Sequence, residues 1–276
     1  MSGRPATPVP ATPADGIAWV TGASSGIGLA VVQRLLAGGW TIAATARRAD
    51  VLAALAAAHP GRVIAAPADI TDAAALPVAL AAAEAAAGRP IALAILNAGI
   101  YERDSARTGL DLGAFRAQVE VNLLGTANCV AAVLPGMIAR QVGQIGIVAS
   151  VAGYRGLPGT IGYSAAKAAL IAMAEALKFD LDRAGVMVNL IAPGFVRTPA
   201  TDRNTFPMPF LMEADAAAAR LVRGLSSGRF ETTFPRRFTF LLKLLRVLPY
   251  RLYFPIVARG TYSPDSSRRR RSSSSL

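Results

Sequence analysis

From residue 16 onward the chain alternates short, almost wholly apolar runs with longer stretches rich in alanine and leucine. The short runs at 17–21, 41–46, 62–66, 91–97, 144–149 and 186–191 have the length of strands and are apolar at consecutive positions, so both faces of each need cover. The longer stretches at 27–36, 50–58, 72–87, 111–140 and 164–183 predict helices. Doubly covered strands separated by helices imply an α/β fold, a doubly wound domain with a central parallel sheet. Ligands are expected beyond the carboxyl ends of such strands. Neither a solenoid repeat nor a dividing linker interrupts the pattern, so one domain is assigned to 15–235. A Pro/Ala/Thr-rich leader, 1–14, precedes it and is expected to be disordered. An amphipathic basic helical extension, 236–262, and an Arg/Ser tail, 263–276, expected to be disordered, follow it.

Composition narrows the chemistry. The 276 residues are 53% hydrophobic, with 25 glycines and 18 prolines, which excludes a collagen or a wholly disordered chain. With Cys129 the lone cysteine and His59 the lone histidine, neither an internal disulfide nor a structural zinc site can be assembled. His59 reads as a helix-end turn residue, and nothing demands an oxidising compartment, so a reducing cytoplasm is expected. Much of the apolar content is alanine, and the most apolar long stretch, 238–258, is broken by Lys243, Arg246, Pro249, Arg251 and Pro255, so no transmembrane helix is expected. The leader has no apolar core of the signal-peptide kind.

The first strand runs into Thr21-Gly22-Ala23-Ser24-Ser25-Gly26-Ile27-Gly28, which opens directly into a helix. Gly22 permits a tight turn, Gly26 a close backbone approach to a pyrophosphate, and Gly28 close packing of helix on strand, a Rossmann-type dinucleotide turn. The diphosphate would rest on the helix N-terminus beside Ser24, Ser25 and Ile27. The second strand ends in Arg47 and Arg48 where an NAD site would carry an acidic residue, while Asp50 is placed to cap the next helix. The guanidinium groups suit a 2′-phosphate and hence NADP(H); solvated arginines on a loop are the other reading.

These motifs, with Asp69, Asn97-Ala98-Gly99, Asn122-Leu123-Leu124-Gly125, Ser150, Tyr163-Ser164-Ala165-Ala166-Lys167 and Pro193-Gly194, resemble the short-chain dehydrogenases/reductases of the TGxxxGxG and Tyr-x-x-x-Lys group over roughly 16–225. On residue chemistry alone, Tyr163 and Lys167 are four apart at a helix start, so an ammonium can stabilise a phenolate that otherwise forms near pH ~10. The resemblance implies that Tyr163 protonates the substrate oxygen, Lys167 lowers its pKa and holds the nicotinamide ribose, Ser150 bonds the carbonyl oxygen, and Asn122 positions a relay water. It also implies that Asp69 and Ile70 flank adenine, Asn97 to Gly99 line the cleft, and Pro193, Gly194, Val196 and Thr198 wrap the nicotinamide amide. A homodimer or homotetramer built on the helices 111–140 and 164–183 is implied as well. A dinucleotide-sensing protein without turnover is the alternative, against which the intact Asn122, Ser150, Tyr163 and Lys167 set stands.

The segment 199–211, with Phe206-Pro207-Met208-Pro209-Phe210-Leu211 in it, is expected to be a substrate loop, and its apolar content points to a hydrophobic small molecule, lipid-, steroid- or retinoid-like. A loop docking on its own core is the other reading. Of the formal +12 charge, most lies at the end: residues 229–276 hold 11 of the 29 basic residues and only Glu231 and Asp265 among acids. Basic residues interleaved with Leu, Phe and Tyr in 236–258 suggest a peripheral helix on an anionic membrane at its cytoplasmic face, with Pro249 dividing it; packing over a partner or over the chain's own cleft is the competing reading. Nucleic acid is not an expected partner, because Arg268 to Arg271 have no interleaved aromatics.

Overall fold

The computed structural model describes residues 8–202, 204 and 208–261. Seven parallel strands form one sheet: β1 (Ile17–Thr21), β2 (Ile42–Thr45), β3 (Val63–Ala65), β4 (Ile91–Leu96), β5 (Gly143–Val148), β6 (Val186–Pro193) and β7 (Glu231–Phe234). Their order is β3-β2-β1-β4-β5-β6-β7, so the chain reverses its winding between β1 and β4 and opens a crevice there. Apart from β7, whose Glu-Thr-Thr-Phe is too polar to stand out as an apolar run, and β6, which runs two residues past its expected end, every strand lies within one residue of its expected bounds.

The run Ile17–Thr21 shows why the strands are apolar at every position. Ile17 and Trp19 face one core and Ala18 and Val20 the other, all fully buried. The first core is closed by α3 (Ala75–Ala87), α5 (Gly125–Arg140) and α6 (Ile161–Leu181); the second by α1 (Gly26–Ala37), α2 (Ala49–Ala58) and α7 (Ala214–Leu225). The Trp19 indole donates to Thr45 Oγ1 at 2.8 Å, and that hydroxyl donates to the Ala66 carbonyl, so three strands are tied by one satisfied polar chain.

The expected helix 111–140 is real but interrupted. It runs as α4 (Leu112–Val119), capped by Asp111 through Ala114 N, then a π-helical turn at Glu120–Leu124, then α5. By length and composition alone this run could cross a membrane; in the fold it packs against the sheet with Cys129, Val130, Val133 and Met137 buried. His59 ends α2 as expected, whereas Asp50 lies in the first turn of α2 without capping it.

The leader needs correction over its described part. Residues 8–14 lie along the domain, with Ala11 N donating to the buried Gln144 and Arg89 donating to the Pro13 and Ala14 carbonyls. An otherwise unpaired Gln144 Oε1 would sit inside the protein, which is the physical reason for this docking. Residues 1–7 and the Arg/Ser tail fall outside the described residues. Pro249 does split the basic extension, into α8 (Arg236–Val247) and α9 (Tyr250–Thr261).

Candidate active site

A cleft of about 1550 Å³ opens along the carboxyl ends of the strands, large enough for a dinucleotide and a substrate together. Its floor is a series of strand-to-helix turns. Gly22 leaves β1 with φ +67°, and a Cβ there would come within 2.9 Å of the Asn97 amide. A Cβ on Gly28 would meet the Gly22 carbonyl at 2.2 Å, so only glycine lets α1 approach the turn this closely. Ser25 precedes α1 with no side-chain cap, so the amides of the first turn face the cleft, a suitable seat for a diphosphate. Arg47 and Arg48 follow β2 at the same wall, and Arg48 donates to the Ser24 carbonyl and hydroxyl at 3.0 Å. These features fit a nicotinamide dinucleotide.

Asp69 bends the next loop by accepting from Thr71 N and Oγ1, and Asn128, which sequence reasoning did not single out, holds it by donating to the Ile70 carbonyl. After β4 the Asn97 and Ala98 amides donate to Thr21 Oγ1, locking the fourth turn onto the first. A Cβ on Gly99 would be 2.7 Å from Asn122 Oδ1, so the backbone passes between the cleft and that buried amide. Asn122 and Gly28 are the two expected site residues that do not line the cleft. Both ends of the Asn122 amide pair with the Ile100 backbone, at 2.8 and 2.9 Å, which makes it a strut behind the wall.

The reactive groups gather where β5 and α6 meet. Ser150 follows β5, accepts from Ala152 N at 3.1 Å and donates to the Pro193 carbonyl at 3.4 Å, with its hydroxyl on the side of the Tyr163 phenol. Asp104, also missed by sequence reasoning, accepts from Ile161 N and Gly162 N and so caps α6 from a distant loop, fixing the turn that carries Tyr163. Lys167 is buried one helical turn further on, with Nζ 2.8 Å from the Val148 carbonyl. Burial pushes Tyr163 up to about 12, while the Ser150 bond pulls the other way; burial also pulls Lys167 down to about 8. Lys167 Nζ lies 5.7 Å from the Tyr163 ring centre. The phenol is therefore held neutral with its proton in place near neutral pH. Tyr101 packs edge-on against Tyr163 at 5.1 Å.

Opposite this floor stands a roof that sequence reasoning left between two readings. Phe238, Leu241, Leu242 and Leu245 of α8 and Ile256 and Val257 of α9 line the cleft. The pair thus covers its own chain's site. Arg155 holds it there, donating to the carbonyls of Leu245, Arg246 and Leu248 at the end of α8. The same guanidinium sits 3.9 Å over the Tyr253 ring and 4.4 Å over Tyr250, and Tyr253 Oη donates to the Gly156 carbonyl. Glu231 takes the Tyr154 hydroxyl and pairs with Lys243. Lys243 is therefore engaged within the protein. In the loop 199–211, Phe210 stacks on Phe238 at 5.9 Å, whereas the expected lining residues Phe206 and Pro207 lie outside the described residues. No cluster of potential metal ligands occurs among the described residues.

The family profile described as short chain dehydrogenase matches residues 16–206. A protein of Myxococcus xanthus described as an uncharacterized oxidoreductase is 38% identical over 239 residues, 86% of this chain and 94% of that protein. A short chain dehydrogenase from Burkholderia cenocepacia in complex with NADP superposes with a TM-score of 0.72 at 28% identity, over 83% of this chain and 92% of that one. One from Burkholderia phymatum in complex with NAD gives 0.75 at 25% identity, over 85% and 94%.

Proposed function

Because the chain belongs to the short-chain dehydrogenase family and is an oxidoreductase of that fold, we propose that it interconverts a carbonyl and an alcohol on an apolar small molecule with NADP(H). The observation that carries this reading is the juxtaposition of the Ser150 hydroxyl, the protonated Tyr163 phenol and buried Lys167 at the floor of a cleft roofed by apolar side chains. When bound, NADPH supplies a hydride to the carbonyl carbon. Tyr163 donates its proton to the carbonyl oxygen, which Ser150 orients by a second hydrogen bond. Lys167 stabilises the phenolate left behind, at close range and away from water. Asn122 keeps the wall beside Lys167 in place. In the oxidative direction the same groups take a proton from the alcohol.

Arg47 and Arg48 favour NADP(H) over NAD(H), since no acidic side chain follows β2 to claim a ribose hydroxyl and the guanidinium groups border the cleft. Asp69 and Ile70 flank the adenine, and Pro193, Gly194, Val196 and Thr198 border the nicotinamide side. Leu124 and Ile138 of the 112–140 run and Phe179 of α6 are exposed, which supports a homo-oligomer joined through these helices. Buried, unpaired Cys129 suits a reducing cytoplasm. A panel of carbonyls and alcohols assayed with NADPH and NADH by nicotinamide absorbance tests the reading. NADPH-linked reduction of apolar ketones or aldehydes is expected. NADPH binding with no turnover on any apolar carbonyl would point to a sensor.

A further inference from the structure

The roof has two sides, and the outer one is unaccounted for. On α8 the residues Phe240, Leu244 and Val247 recur at spacings of four and three and are exposed, Val247 by 75%. On α9 Leu252 and Phe254 are exposed as well. An apolar helix face turned to solvent is the reverse of what a soluble helix needs. No acidic residue occurs from 232 to 261, whereas Arg236, Arg237, Arg251 and Arg259 are exposed there. The opposite, inner side of the same helices forms the wall of the cleft through Leu242, Leu245 and Val257.

We propose that the α8–α9 pair seats on an anionic lipid surface, outer face down, so that an apolar substrate reaches the cleft from the bilayer along the roof. Charge complementarity selects this occupant. A second copy of the chain would bring the same arginines and no acids against this face, and would leave like charges opposed. The apolar side chains enter the acyl boundary while the arginines meet phosphate headgroups. The split at Pro249 leaves two helices of 12 residues each, long enough to lie in the interface and too short to cross it. Only the route of the substrate rests on the carbonyl-reductase reading; the seating on lipid stands apart from it.

Flotation of the full chain with vesicles of phosphatidylcholine alone or with phosphatidylglycerol, with NADPH binding followed by fluorescence, separates the two. The expected result is about tenfold more protein in the floating fraction with anionic than with neutral vesicles, reversed by high salt. Phe240→Ser/Leu244→Ser and, separately, Arg236→Glu/Arg237→Glu should each abolish flotation and leave NADPH binding unchanged. Wild type that stays at the bottom with anionic vesicles overturns the seating, as does equal flotation of either variant. If instead the Phe240→Ser/Leu244→Ser change halves the sedimentation mass of a wild type that does not float, a second copy covers this face and the proposal is wrong.

Discussion

The floor and the roof of the cleft are built on opposite principles. The floor is backbone: a series of strand-to-helix turns, the first and fourth bonded to each other, with glycines where a Cβ would collide and with Thr21, Asn97 and Asn122 bonded to main-chain groups. The roof is side chain: Phe238, three leucines, Ile256 and Val257 on two helices, latched to the floor by Arg155 and Tyr253. A site of the first kind tolerates little change in its partner and suits an invariant cofactor. A site of the second kind adapts to shape and suits an apolar substrate. On the proposed function the chemistry and the cofactor fall to the floor and the choice of substrate to the roof, and each assignment can be broken separately.

The largest effect is expected at the reacting group. Tyr163→Phe removes the transferable proton and keeps the ring that packs on Tyr101, so turnover should fall by about three orders of magnitude with NADPH affinity retained. Stopped-flow reduction and a binding titration on one preparation check this; near wild-type turnover would remove Tyr163 from the mechanism.

A smaller effect is expected at the cofactor's far end. Replacing Arg47 and Arg48 by alanine should weaken NADPH by about 1.5 to 3 kcal/mol per lost charge-assisted contact and leave NADH nearly unchanged. Equal loss for both cofactors, measured by calorimetry, would return these arginines to the solvated loop.

The pH profile sharpens the floor further. Lys167, pulled down to about 8 by burial, is protonated below that pH and loses its charge above it, while Tyr163, near 12, keeps its proton throughout. The kcat/KM for carbonyl reduction should be flat below about pH 8 and then fall, up to about tenfold per unit. A profile flat to pH 10 would show that the Lys167 charge is not needed.

The two regions also differed in how far they could be read in advance. The floor was legible because each turn is a local event: glycines at fixed offsets after an apolar run, or Tyr and Lys one helical turn apart, report their own geometry. The strand cores at Ile17–Thr21 and Ile91–Leu96 were legible for the same reason. What escaped depends on distant partners. Asp104 caps α6 across 57 residues of chain, and Asn122 became a wall strut only because the Ile100 backbone reaches it. For α8 and α9, apolar side chains on more than one side do not say which side is covered; Arg155, some 90 residues earlier, decides it by binding the α8 carbonyls.

The division of labour between floor and roof is tested most directly by the kcat/KM of straight-chain ketones of increasing length, together with the NADPH dissociation constant, in wild type and Leu245→Ala. Each added methylene that reaches the roof should contribute up to about 0.8 kcal/mol, close to fourfold in kcat/KM. Leu245→Ala should flatten that dependence and leave NADPH affinity unchanged. A wild type indifferent to chain length, or a variant that keeps the full slope and binds NADPH more weakly, would contradict the account.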